Sequence, residues 1–214
     1  VGRFRSGYAP ILEATDLYST DYPIILSSAG GRAIALDARG SGENLQLVML
    51  GTDYSIKEYD LGAAASWTTP ATPSRTINTT GLTIERKDAA ITYDNEGGLW
   101  VNQNSASKPT IAHLSTSGLD YDNITAGLSH VLGGATYNIR GVAINQDGTE
   151  LAVPAAGRGK VTVFTISKDS DGKISLTQKY TITTGNNNTA LSYDYAGNLY
   201  IANRSAETIS FYAM

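Results

Sequence analysis

One pattern recurs four times along the chain at an interval near fifty residues, and it restricts the fold more tightly than any other feature of the sequence. An alternating apolar run leads to an Asp and a glycine-containing turn. A Leu-x-apolar run follows, then a polar loop and a second alternating run. The first copy runs Ala33–Asp37, Leu45–Val48 and Tyr54–Tyr59; the second runs Ala90–Asp94, Gly98–Val101 and Thr110–Leu114. The third runs Val142–Ile144 with Asp147-Gly148, then Leu151–Val153 and Lys160–Phe164; the fourth runs Ala190–Asp194, Leu199–Ile201 and Thr208–Tyr212. Anchor leucines Leu45, Leu99, Leu151 and Leu199 stand 54, 52 and 48 residues apart. From each anchor to the first apolar residue of the next run (Ile56, Ile111, Val161, Ile209) the interval is 11, 12, 10 and 10. Period-two alternation rich in Val, Ile, Tyr and Thr predicts strands. Asp-x-x-Gly supplies the turns, because Asp bonds the backbone just after it and Gly accepts positive φ.

A further strand fits between repeats. Val161–Ile166, the turn Asp169-Ser170-Asp171-Gly172 and Ile174–Ile182 read as a hairpin. Four strands in each fifty-residue unit, repeated, predict an all-β chain: a β-propeller of four-stranded antiparallel blades, with about four blades visible and room for them to belong to a larger ring. Each sheet has two faces to bury and buries them on its neighbours, so a lone blade is not stable. The repeats fall at about 31–82, 83–136, 137–185 and 186–214, with 1–30 (Ile11-Leu12, Ile24–Leu26) as outer strands of an incomplete blade. Ile124, Leu128, Val131 and Leu132 stand at helical spacing, so a short helix is the alternative to an outer strand there. The chain starts at Val1 and ends on the strand pattern Ile209–Met214, where a natural boundary would fall in polar linker; a processed chain or a piece of a longer one is expected.

Composition narrows the function classes. With 214 residues, 41% hydrophobic and 17% charged, the chain can build a full core and is too apolar to be disordered. No stretch reaches the roughly 18 apolar residues of a membrane helix. No cysteine is present, which excludes disulfides, thiolate metal sites and a cysteine nucleophile. A net charge of −4 argues against a nucleic-acid partner.

The fourth repeat, Thr189–Asn203, resembles the repeat of NHL and YVTN propellers, which run apolar-Ala-apolar-x-x-Asp-x-x-Gly-x-Leu-Tyr-Val-x-Asn. The third, Gly141–Val153, is similar to lactonase-type seven-bladed propellers. The resemblance covers a little under half of the chain. It implies the fold directly; its members include sugar-acid lactonases, bacterial surface proteins and carbohydrate- or protein-binding modules. The first repeat departs from the pattern, with a longer turn over Ala38–Asn44 and Met49-Leu50-Gly51 in place of the polar end.

Several apparent motifs fail on inspection. Gly127-Leu128-Ser129-His130 lacks the closing glycine of a nucleophile elbow, because Val131 stands there. Gly157-Arg158-Gly159-Lys160 has Pro154 and Val161 where a phosphate loop needs glycine and Ser/Thr. Gly40-Ser41-Gly42 lacks the third glycine of a dinucleotide fingerprint. Asp169-Ser170-Asp171-Gly172 stops after two of the ligands of a calcium loop. His113 and His130 lie in different elements, and His113 reads as a packing or surface residue. Trp100 and Tyr200, each just after an anchor leucine, read as inter-blade packing with sugar stacking as the alternative; Trp67 reads as an outer-edge residue. Four Asn-x-Ser/Thr matches (at Asn78, Asn123, Asn187 and Asn203) are the kind that Asn/Thr-rich turns produce freely.

One constellation remains. Arg32, Lys87 and Arg140 each precede a repeat's first strand, and Asn188 holds the matching place in the fourth. In a propeller that strand is innermost, so the four would ring one mouth of the channel, with Asn102–Asn104 and Asn203-Arg204-Ser205 on the same face. Such a rim could attract an acidic sugar, carboxylate or phosphate. The expected function is a non-catalytic binding or scaffold module of a bacterial cell envelope, extracellular or periplasmic, presenting these loops to a carbohydrate or protein with no cofactor. The alternative, implied by the lactonase resemblance, is a sugar-acid hydrolase with a divalent cation such as calcium in the channel. Glu85, Asn138 and Asn188 lie in suitable loops for it, without matching the family site residue by residue.

Overall fold

The computed structural model describes residues 33–40, 44–62, 72–77, 79, 89–104, 109–114, 121–124, 139–155, 159–172, 174–185 and 188–213. They form antiparallel strands in four separate sheets. Blade I is β1 (Ala33–Arg39), β2 (Gln46–Gly51), β3 (Ile56–Asp60) and β4 (Arg75–Ile77). Blade II is β5 (Ile91–Tyr93), β6 (Leu99–Asn104), β7 (Pro109–Leu114) and β8 (Tyr121–Ile124). Blade III is β9 (Ala143–Ile144), β10 (Glu150–Ala155), β11 (Lys160–Lys168) and β12 (Ile174–Thr183). Blade IV is β13 (Asn188–Tyr193), β14 (Leu199–Asn203) and β15 (Thr208–Tyr212). Each sheet is a meander in chain order. The first strands lie side by side, β1 against β5, β5 against β9 and β9 against β13, so they gather toward one axis. The fold is therefore the propeller that the repeat predicts. Residues 121–124 form strand β8; the rest of the segment with helical spacing, like residues 1–32, lies outside the described residues.

Alternation works as the period-two pattern requires: neighbouring residues of one strand enter different cores. Val48, Leu50 and Ile56 of blade I pack on Ile91, Tyr93, Leu99 and Val101 of blade II. Trp100 and Ile111, on the other face of blade II, pack on Val142, Ile144, Leu151, Val153 and Phe164 of blade III. Ala152, Val161 and Val163 then pack on Leu199 and Ile201 of blade IV. The blades have almost no interior of their own; the cores lie between them.

Register corrects the first repeat in two places. In blades II to IV one cross-strand row reads Tyr93–Leu99–Leu114, Ile144–Leu151–Phe164 and Tyr193–Leu199–Tyr212. The corresponding row of blade I is Ala38–Leu47–Tyr59, so the anchor is Leu47. Leu45 lies just before β2, and its carbonyl accepts the amides of Leu61 (2.9 Å) and Gly62 (3.3 Å). Asp37 consequently sits inside β1 and is not the turn residue. Its buried carboxylate reaches blade II, accepting from Thr92 Oγ1 (2.9 Å) and the Tyr93 amide (2.8 Å). The turn role falls to Asp94, Asn145 and Asp194, whose Oδ1 atoms accept amides at 2.7–2.9 Å. In the third repeat the capping group is thus Asn145, where the sequence pattern pointed to Asp147.

Candidate functional site

Two ends of the blade stack carry polar side chains. At the end where the first strands begin, Asn102 lies in the second half of β6, fully buried. Its Oδ1 accepts the Ala90 amide (2.5 Å) and its Nδ2 donates to the Ile139 carbonyl (2.6 Å), tying the entry of blade II to that of blade III. Arg140 follows Ile139 and is half-buried. In blade IV, Asn188 opens β13 and is fully buried; its Nδ2 donates to Thr184 Oγ1 (2.6 Å), and its Oδ1 accepts from Asn203 Nδ2 (3.5 Å). Asn203 also accepts the Ala206 amide (3.0 Å), which shapes the exposed turn holding Arg204. Asn188 is the first residue of β13, Asn203 the last of β14 with Arg204 in the turn after it, and Arg140 lies in the segment three residues before β9. Both asparagines are buried and hydrogen-bonded, Asn203 within blade IV and Asn188 also to Thr184, the residue just after β12 of blade III. Arg32 and Lys87, like Glu85 and Asn138 of the cation alternative, lie outside the described residues.

The opposite end carries a constellation that the sequence reading did not assemble. His113 Nε2 meets Asp94 Oδ2 at 2.7 Å, and the imidazole lies 4.7 Å from the Trp100 ring, tilted by 59°. All three belong to blade II, and His113 and Trp100 are directly opposed across β6 and β7. Gly98 makes this possible, because a Cβ there would come within 2.5 Å of Asp94 Oδ2 and 2.8 Å of His113 Nε2. Burial alone would raise the Asp94 pKa, but the His113 bond, the imidazole charge and the amides of Gly98 and Glu96 outweigh it and hold the carboxyl below its ordinary value. Beside this group, a cleft of about 170 Å³ between blades II and III is lined by Asp94, Glu96, Trp100, Asp147 and Lys168, with Lys168 paired to Glu96. A signal for the contact was present in the sequence: Asp94 precedes the turn, and His113 stands one place before Leu114, the residue opposite Leu99.

Chemically, the described residues are dominated by frame contacts. Glu58 is buried between Arg75 Nη2 (2.8 Å) and the Tyr93 hydroxyl (2.8 Å), and the Arg39 guanidinium lies over the Tyr93 ring at 4.8 Å. Among the described residues, no group of three His, Asp or Glu stands close enough to hold a metal ion. Asp169 and Asp171 sit in a hairpin turn closed by Gly172 N donating to the Asp169 carbonyl (3.0 Å). Among the described residues no helix is long and apolar enough to cross a membrane.

Four radially stacked antiparallel meanders with their cores between sheets define a β-propeller domain. The model of one family, the β-propeller domain of lipoprotein LpqB, matches residues 78–208, more than half of the chain. The chain belongs to that family. No curated protein matches it significantly in sequence. Among solved structures, Kuenenia stuttgartiensis hydrazine synthase is similar at TM-score 0.60 and 12% identity, over 88% of this chain and 60% of that one. KlAtg21, solved in complex with the coiled coil of AgAtg16, is similar at TM-score 0.55 and 17% identity, over 83% of this chain and 52% of that one. The Cps50 (Swd1) β-propeller domain of Myceliophteria thermophila is similar at TM-score 0.55 and 10% identity, over 89% of this chain and 58% of that one. The chain thus spans only about half to three fifths of these structures, and at such identities the likeness concerns the fold alone.

Proposed function

We propose that the protein is a non-catalytic binding module of a bacterial cell envelope, presenting the loops at one channel mouth to a carbohydrate or protein. The observation that carries this reading is its membership of a family described by a lipoprotein's propeller domain. The frame supports it. Asp37, Glu58, Asp94, His113 and Asp194 are all bonded to their own or the adjoining blade, so the groups best suited to acid–base work serve cohesion. The NHL- and YVTN-like fourth repeat supports a binding role too, and KlAtg21 shows one protein of this fold held against a coiled coil.

At the mouth, Arg32, Lys87, Arg140 and Arg204 form the ligand-facing set, while Asn188 and Asn203 brace the loop beneath Arg204. Cations around a concave rim attract an anionic group and bind it by charge-assisted hydrogen bonds. The test is titration of the purified chain with acidic polysaccharide fragments and acidic peptides at several salt concentrations. Binding is expected to weaken with salt and to be lost in the Arg32→Ala, Lys87→Ala, Arg140→Ala triple variant while the circular dichroism is unchanged. Unaltered binding by that variant overturns the rim. Lactone hydrolysis that needs calcium, zinc or manganese and disappears with chelator overturns the non-catalytic reading.

A further inference from the structure

Blade III differs from its neighbours at one end. Strand β11 runs three residues past β10, and Ile166, Ser167 and Lys168 keep pairing with Leu176, Ser175 and Ile174 of β12. In blades I and II the third strand stops level with the second, at Asp60 opposite Gln46 and at Leu114 opposite Leu99. The projecting hairpin of blade III and the turns of blades II and III together line the cleft of about 170 Å³.

Two kinds of surface meet there. One is apolar: Trp100, Ile144 and Ile174 belong to the core between blades II and III, with Ile166 packed against it. The other carries carboxylates and one cation. Glu96 pairs with Lys168, Asp94 is held by His113, and Asp147 is exposed and makes no hydrogen bond among the described residues. Trp100 adds a donor. It is only 1% exposed, and its Nε1–H has no acceptor among the described residues, although a buried indole N–H usually finds one.

We infer that this cleft binds one pyranose residue of an amino or neutral sugar. A six-membered ring matches the space, since a cavity of about 150 Å³ takes up benzene. The C–H face of the ring suits the wall of Trp100 and the isoleucines. Its hydroxyls donate to the Asp147 and Glu96 carboxylates, and its oxygens accept from Lys168 and from the indole N–H. Three carboxylates against one ammonium repel an acidic sugar and favour an amino group. The cleft lies at the end opposite the channel mouth and prefers the opposite charge, so it does not rest on the reading of the mouth.

Titration of the purified chain with glucosamine, glucose, glucuronate and N-acetyl-lysine amide tests this. Fluorescence is read in a Trp67→Phe background, which leaves Trp100 as the one indole. Saturable binding is expected for glucosamine and, more weakly, for glucose, with glucuronate at least about tenfold weaker than glucosamine. Asp147→Asn, at an exposed position outside the frame contacts, should weaken glucosamine about threefold to tenfold, because a charged acceptor becomes neutral. The same variant should leave acidic polysaccharide binding unchanged, which separates this site from the mouth. Ile166→Phe narrows the cleft from the hairpin side and should weaken both sugars; if it does not fold, Asp147→Asn decides alone. No saturable response to glucosamine or glucose, glucuronate bound as tightly as glucosamine, an unaltered affinity in Asp147→Asn, or binding of the lysine amide in place of the sugars overturns the inference.

Discussion

His113 illustrates how a single residue's role is set by neighbours distant in sequence. A lone strand histidine reads as packing or surface, and here it is packing of a definite kind: one ring nitrogen on Asp94, one face toward Trp100. Asp94 in turn serves the turn with Oδ1 and the strand with Oδ2. Asp94→Asn should reduce stability by about 1–3 kcal/mol at neutral pH, because a charge-assisted bond becomes a neutral or lost one. The pH dependence has a defined sign. The folded pKa lies below the unfolded value of about 3.9, so the contribution is complete above that pH and fades as pH falls through the folded pKa. Urea unfolding of both proteins should show the gap closing below about pH 4; a constant gap would mean that the carboxylate charge plays no part.

Among elements, the turns between first and second strands show what repetition preserves and what it leaves free. Gly97, Gly148 and Gly197 hold φ of 94°, 73° and 84°, a region that favours glycine. Their surroundings differ. A Cβ on Gly97 would collide with the Arg39 guanidinium from blade I, whereas nothing lies within 4 Å of one on Gly197. Gly197→Ala should therefore cost about 1 kcal/mol from backbone strain alone. Gly97→Ala should cost more, since it also displaces Arg39 from the Tyr93 ring. Thermal unfolding of the two variants compares them directly, and equal losses would remove the steric argument. The sequence pattern made these turns legible, including the hairpin at Asp169–Gly172, because Asx capping and positive φ are local requirements. It misplaced the first anchor and took Asp37 for a turn residue. Nothing local distinguishes a strand that continues to Arg39 from one that stops, and only pairing with β2 sets that limit.

Across the whole molecule, cohesion between blades mixes apolar burial with a few polar ties. The Tyr93 hydroxyl crosses from blade II to Glu58 of blade I, whereas the Tyr193 hydroxyl is buried without a partner. Burial pushes both phenols well above their ordinary pKa, with Glu58 adding to the shift at Tyr93. Tyr93→Phe should lose about 1–3 kcal/mol, since it removes a donor from a buried carboxylate, while Tyr193→Phe should be neutral or slightly stabilising. Chemical denaturation followed by tryptophan fluorescence provides the comparison, and similar losses in both would mean that the inter-blade bond contributes nothing. Period-two alternation and a steady repeat were enough to determine the strands, their antiparallel order and a radial stack, because a sheet with two apolar faces must be covered on both. Position within a repeat is a one-dimensional property, which is why the sequence could set Asn188 beside a first strand and Asn203 beside the end of a second. Tertiary structure alone decided that both asparagines are buried in hydrogen bonds, and that Asp94, His113 and Trp100 form one group. Those outcomes depend on register and on contacts between neighbouring strands, which hydrophobic periodicity does not encode.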